Sequence, residues 1–167
     1  MTDAADSLAF RARALAQAHP LTDLAGQFVG SVVSVEQAVQ ANADIANWAS
    51  AELVAGYCLR RVEENAAGLQ HRPNPDHAVT LAQLEAVTRD VATALRIGDP
   101  DPHLLGDPDA VFMALNNIIT AEIDIRLHNF RDEMDPDACE EFADYVTAWV
   151  VTGYALRVAE RVLEALV

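Results

Sequence analysis

The sequence predicts an all-α fold, a single-domain helical bundle of about six helices. Ala, Glu, Gln and Arg dominate the chain, and the strict apolar–polar alternation of a half-buried strand is absent. The seven Gly and seven Pro fall mainly between segments of helical periodicity. A chain of 167 residues that is 51% hydrophobic has the size and composition of one domain with its own core. We therefore expect a single domain over residues 1–167.

Capping signals mark several of the predicted helix ends. The Asp-Pro-Asp-Ala sequences at Asp107 and Asp135 each offer an Asp N-cap followed by Pro in the first turn. Thr80 and Gln83 have the spacing of a capping box, and Gly98 suits a helix C-terminus. The predicted helices span residues 4–18, 22–42, 45–67, 78–97, 108–131 and 136–166.

The third and sixth predicted helices differ from an ordinary amphipathic surface helix. Residues 45–63 and 142–160 carry apolar or small side chains on nearly every side. Such a pattern is typical of a helix that neighbouring helices bury on all faces. We expect these two helices to form the centre of the bundle.

These two helices also resemble each other at a shift of 97 residues. Eight of 19 aligned positions are identical, including a shared Gly-Tyr-x-Leu-Arg-x-x-Glu sequence that begins at Gly56 and Gly153. We predict two three-helix repeats, residues 1–70 and 76–167, related by a pseudo-two-fold axis. Gly inside a helix costs about 1 kcal/mol relative to Ala, so each glycine should allow a close helix–helix approach.

The charge distribution excludes some classes of partner. The net charge is −15, and every one of the 11 basic residues is Arg. Residues 98–144 alone contribute −11, from 13 acidic residues and two Arg. Binding to nucleic acid or to an anionic membrane surface would bring like charges together, so neither is expected. This segment is either a solvated surface or a surface for a basic partner protein.

Hydropathy and the N-terminal sequence favour a cytoplasmic protein. No stretch without a charged residue exceeds 12 residues, whereas a membrane span needs roughly 18 apolar residues. The acidic N-terminus lacks the pattern of a signal peptide. Cys58 and Cys139 form no Cys-x-x-Cys motif, and we expect both to be free thiols.

The first functional hypothesis is a non-catalytic interaction or assembly protein that forms homo-oligomers. The sequence Trp149-Val-Val151 leaves the last helix with little polar face, which suggests self-association. No Gly-x-Ser-x-Gly elbow and no Gly-rich phosphate loop occur, so we expect neither nucleophilic catalysis nor a cofactor.

The second hypothesis is a small-anion-binding protein or enzyme with a pocket between helices 45–67 and 136–166. Repeated Tyr and Arg side chains would hold the anion, because the Arg fork matches a carboxylate or a phosphate. The competing interpretation is that the two arginines pair with acids of the chain, such as Glu64 or Glu160. The predicted ligand-binding residues are Tyr57, Arg60, Tyr154, Arg157, Trp48 and Trp149.

The third hypothesis is a metal-binding bundle with carboxylate and His ligands. Helical di-iron proteins use a Glu-x-x-His motif on two helices, and that motif is missing here. The residues that would face inward and supply ligands are Glu36, Glu52, Glu122 and His128.

Overall fold

A computed structural model describes residues 2–18, 21–40, 43–69, 79–97, 105, 108–128 and 135–165. Its elements are six α-helices, and the described residues contain no strand, so the predicted all-α bundle is confirmed. The helices are α1 (Thr2–Ala16), α2 (Asp23–Gln40), α3 (Ala43–Ala66), α4 (Leu81–Arg96), α5 (Pro108–Leu127) and α6 (Pro136–Ala165).

Side-chain caps begin two of these helices where the sequence predicts them. The Thr80 hydroxyl accepts a hydrogen bond from the Gln83 amide at 3.2 Å, and the Gln83 side chain accepts one from the Thr80 amide at 2.9 Å. Asp135 accepts a hydrogen bond from the Ala138 amide at 2.7 Å. Each cap satisfies an amide that has no partner within the helix. The predicted caps at Gly98 and Asp107 lie outside the described residues.

Helices α3 and α6 form the centre of the bundle. Helices α1 and α2 pack on α3, while α4 and α5 pack on α6, and α1 also contacts α5. Val150 and Val151 are buried in the main apolar core, which explains why α6 has so little polar face. The apolar surface from which we predicted self-association is therefore largely covered within one chain.

The two central helices cross with their backbones in contact. A Cβ atom at Gly56 would lie 2.8 Å from the Tyr154 nitrogen and would overlap the Val150 carbonyl oxygen. A Cβ atom at Gly153 would overlap the Leu53 carbonyl in the same way. Leu53 and Val150 are themselves 97 residues apart, so exchanging the two helices reproduces the contact. The predicted arrangement of two three-helix repeats about a pseudo-two-fold axis stays a prediction.

Two predictions concern the surface of the bundle, namely that no helix spans a membrane and that segment 98–144 is acidic. None of the described helices is long and apolar enough to cross a membrane. The acidic segment 98–144 is described only in part, because residues 98–104, 106–107 and 129–134 lie outside the described residues. Seven of its eight described acids are exposed, and the eighth, Glu122, is buried.

Candidate functional site

The predicted Tyr and Arg residues come together in a buried ionic cluster between α3 and α6. The Arg60 guanidinium lies over the Tyr154 ring and donates to its hydroxyl at 3.2 Å. The Arg157 guanidinium lies over the Tyr57 ring and donates to its hydroxyl at 3.4 Å. In both pairs the guanidinium carbon lies 5.6 Å from the centroid of the tyrosine ring. Each central helix therefore supplies the arginine that lies over the tyrosine of the other.

Carboxylates of the chain neutralise this cluster. Glu64 accepts a bidentate pair of bonds from Arg157, with its Oε1 2.9 Å from Nη2 and its Oε2 3.1 Å from Nε. Glu160 accepts hydrogen bonds from Tyr57 and from Thr22, both at 2.5 Å. The positions predicted for a bound anion are thus taken by Glu64 and Glu160. This geometry favours the competing interpretation, in which the arginines pair with acids of the chain.

Glu63 completes the buried ionic cluster beside Tyr154. Burial raises the pKa of the Glu63 carboxyl to about 7. Its Oε1 atom is buried and has no hydrogen-bond partner in the described part of the chain. Burial also raises the pKa of Tyr57 and of Tyr154, reinforced in each case by a nearby glutamate. Both tyrosines therefore remain neutral donors at physiological pH.

The two predicted tryptophans lie apart from the buried ionic cluster. Trp48 packs edge-on against Phe142, with ring centroids 5.4 Å apart. Trp149 is edge-on to Tyr145 and lines a groove between α2, α4 and α6. The structure does not bring either indole into a common pocket with Arg60 and Arg157.

Two of the four predicted metal ligands form a carboxyl pair. Glu52, on α3, is fully buried, and burial together with the adjacent Glu122 raises the pKa of the Glu52 carboxyl to about 8. Arg126 Nε lies 3.4 Å from Glu52 Oε1, while the buried Oε2 atom of Glu52 has no hydrogen-bond partner among the described residues. Glu52 is therefore largely uncharged at neutral pH.

The other two predicted ligands are used differently. Glu36, on α2, accepts a hydrogen bond from the Tyr145 hydroxyl at 3.1 Å, and His128 is exposed just beyond α5. Among the described residues, no three His, Cys, Asp or Glu side chains converge in a way that could hold a metal ion. The structure joins Glu52 to Glu122 but does not gather the four predicted ligands into one site.

A groove of about 410 Å³ lies beside this carboxyl pair, between α1, α3 and α5. Arg13 and Arg126 enter it from α1 and α5, and Glu122 lies between them, 3.5 Å from Arg13 and 3.6 Å from Arg126. The small residues Ser50, Ala51 and Ala55 of α3 also line it. We name it the polar groove; its polar lining residues are Arg13, Gln17, Asn47, Ser50, Glu122 and Arg126.

Sequence reasoning missed most of the polar groove. Asn47 and Ser50 lie on the predicted central helix, but nothing in their spacing marks them as part of a site. The i,i+4 spacing of Glu122 and Arg126 was a usable signal, because it places both side chains on one face of a helix. Arg13 had no such signal, since its meeting with Glu122 depends on how α1 packs against α5.

No family model matches this chain, and no curated protein or solved structure is detectably similar to it.

Proposed function

We propose that this protein binds a small polar anion, a carboxylate or a phosphate ester, in the polar groove. The observation that carries the proposal is that Arg13 and Arg126 both line the polar groove and share Glu122 as an ion-pair partner, at 3.5 and 3.6 Å. The second carboxyl group in the described part of the groove's surroundings, Glu52, lies 3.4 Å from Arg126, and burial raises its pKa to about 8, which favours its uncharged form. An anion in the groove would balance the remaining guanidinium charge.

The side chains of the polar groove suit such a ligand. Guanidinium groups bind carboxylate and phosphate oxygens through paired hydrogen bonds. Asn47, Ser50 and Gln17 add neutral donors and acceptors that would orient a hydroxylated or amide-bearing ligand. The volume of about 410 Å³ falls in the usual range for small-molecule sites. Nothing in the groove offers an activated nucleophile, so the proposal is binding and not catalysis.

Isothermal titration of the purified chain with inorganic phosphate and with succinate, at constant ionic strength, tests this proposal. We expect saturable binding of at least one probe, and its identity distinguishes phosphate from carboxylate recognition. Arg126→Gln and Arg13→Gln should each weaken binding by about tenfold or more, since each removes a charge-assisted hydrogen bond. Arg11→Gln, at an exposed residue of α1 that does not line the polar groove, is the matched control and should bind normally. Binding that is absent, or that is unchanged in both groove variants, would contradict the proposal.

The same titration should depend on pH in a predictable direction. The pKa of Glu52 is raised to about 8, so Glu52 loses its proton as the pH rises through that value. The groove then loses its excess positive charge, and anion affinity should fall between pH 7 and pH 9. Glu52→Gln mimics the protonated side chain and should remove most of this fall. An unchanged pH profile in Glu52→Gln would show that another group is responsible.

Self-association is the second candidate function, and one surface of α2 favours it. Val35 and Val39 are 57% and 68% exposed, and the run Leu24–Val35 carries no charge. A Cβ atom at Gly26 or Gly30 of α2 would meet nothing within 4 Å among the described residues, so no contact there explains either glycine. In a chain of net charge −15, an uncharged face is where a second copy can approach without repulsion.

Sedimentation velocity over a wide concentration range tests this second candidate. We expect concentration-dependent dimers, and Val35→Glu should shift the protein to monomer because it places a charge in the α2 face. Ile125→Glu alters an exposed apolar residue of α5 instead and should leave the dimer intact. A chain that stays monomeric at the highest concentrations would exclude homo-oligomers.

Two further expectations remain proposals. The exposed acids Asp109, Asp137 and Glu141 support an interaction of segment 98–144 with a basic partner protein. The absence of a membrane-spanning helix among the described residues is compatible with the proposed cytoplasmic location.

A further inference from the structure

A second groove, of about 400 Å³, lies on the other flank of the α3–α6 pair, between α2, α4 and α6. Phe28, Val32 and Trp149 form apolar walls, and Ala92 and Thr152 narrow it. We name it the aromatic groove. It is distinct from the polar groove, with which it shares no lining residue.

Both grooves take their lining residues from three helices, but their chemistry differs. Ala16 and Gln17, at the C-terminal end of α1, line the polar groove, whereas Ala92 and Thr93 of α4 line the aromatic groove. Helix α5 supplies Glu122 and Arg126 to the polar groove, whereas α2 supplies the apolar Phe28 and Val32 to the aromatic groove.

An unsatisfied hydroxyl lies in the wall of the aromatic groove. Thr88 lines it and is only 1% exposed, yet its buried hydroxyl has no hydrogen-bond partner in the described part of the chain. Leaving such a group unpaired costs about 1–3 kcal/mol, so buried polar atoms are normally satisfied by protein, water or ligand. The unpaired Thr88 hydroxyl therefore points to a ligand with a polar atom at that depth.

The rim of the aromatic groove carries a positive charge. Arg89 and Arg96 are exposed on α4, and within the described part of the chain neither guanidinium has a carboxylate close enough for an ion pair. Glu85 is the one acidic residue among those that line this groove. The rim therefore suits a single negative group held outside an apolar body.

From these observations we propose that the aromatic groove binds a small amphipathic carboxylate with an aromatic or branched apolar body. The body would pack between Phe28, Val32 and Trp149. A polar atom on it would pair with the Thr88 hydroxyl, and the carboxylate would lie between Arg89 and Arg96. This ligand differs in class from the small polar anion proposed for the polar groove. Binding in the aromatic groove does not require binding in the polar groove.

Fluorescence titration of the full chain with 3-phenylpropanoate tests the proposal. In a Trp48→Phe background the emission reports on Trp149 alone, because the chain has two tryptophans. We expect a saturable change in emission at millimolar concentrations or below. The uncharged analogue 3-phenylpropanol should bind about tenfold more weakly, since it lacks the charge-assisted bonds. Acetate, which has no apolar body, should produce no change.

Three variants complete the test. The double variant Arg89→Gln with Arg96→Gln should weaken binding about tenfold or more, whereas Arg11→Gln, at an exposed residue of α1 that lines neither groove, should not. Thr88→Val should raise the thermal midpoint, because it removes an unsatisfied buried hydroxyl, and it should abolish any gain in affinity that 3-(4-hydroxyphenyl)propanoate shows over 3-phenylpropanoate, whose body has no polar atom. The proposal is overturned by equal binding of the alcohol, by unchanged affinity in the double arginine variant, or by a lack of saturable binding. None of these outcomes depends on whether the polar groove binds phosphate or succinate.

Discussion

Gly56→Ala and Gly153→Ala should each lower the free energy of unfolding by about 3 kcal/mol or more, at or beyond the upper end for overpacked cores. A methyl group at Gly56 would overlap the Val150 carbonyl, and one at Gly153 would overlap the Leu53 carbonyl. Backbone atoms cannot rotate away as a side chain can, so α3 and α6 would have to separate. Urea denaturation followed by circular dichroism measures the loss, and a chain that no longer folds counts as the extreme case.

Gly30→Ala is the matched control for both variants. Gly30 also lies within a helix, but a Cβ atom there would meet nothing within 4 Å. Alanine has the better helix propensity, so this change should stabilise the folded chain by about 0.5–1 kcal/mol. If all three glycine variants had similar stability, backbone contact at the α3–α6 crossing would not be what holds these helices in register.

Arg157→Met is expected to cost about 3–5 kcal/mol, the usual penalty for removing one partner of a buried ion pair. Arg157 gives Glu64 a bidentate pair of bonds and lies 3.2 Å from Glu160, and all three side chains are buried. Its removal leaves two carboxylates without their main counter-ion. Urea denaturation at pH 7 measures the loss.

The corresponding residue on α3 provides the comparison. Arg60→Met should lower the free energy of unfolding by less than Arg157→Met. The Nε atom of Arg60 lies 3.7 Å from Glu64, and this atom has no hydrogen-bond partner among the described residues. Arg161 of α6 also reaches this cluster, with its Nε 3.5 Å from Glu64 Oε1 and its side chain 24% exposed. Arg161→Met should lower the free energy of unfolding by under about 1 kcal/mol, as is usual for a partly exposed pair. If Arg60→Met and Arg157→Met lowered the free energy of unfolding equally, the stacking of each arginine on a tyrosine would contribute more to stability than the hydrogen bonds to the carboxylates.

The sequence by itself specified the class and the centre of this fold. Capping residues such as Thr80 and Asp135 accept hydrogen bonds from amides three positions away, so the sequence alone predicts where these helices begin. The repeated Gly-Tyr sequence at Gly56 and Gly153 likewise identified the two central helices. The interpretation of Arg157 as the partner of Glu64 or Glu160 was available from residue types, although the bidentate geometry was not.

Tertiary structure alone decided where the grooves lie and which surfaces are covered. The polar groove needs Arg13, Glu122 and Ser50, which belong to three helices and meet only through the angles at which those helices pack. The raised pKa of Glu52 has the same origin, since it depends on burial and on a carboxylate supplied by α5. Likewise, the apolar face that suggested oligomers at Val150 and Val151 is covered within the chain. Local sequence determines helix formation, whereas a binding site here depends on contacts between residues far apart in the chain.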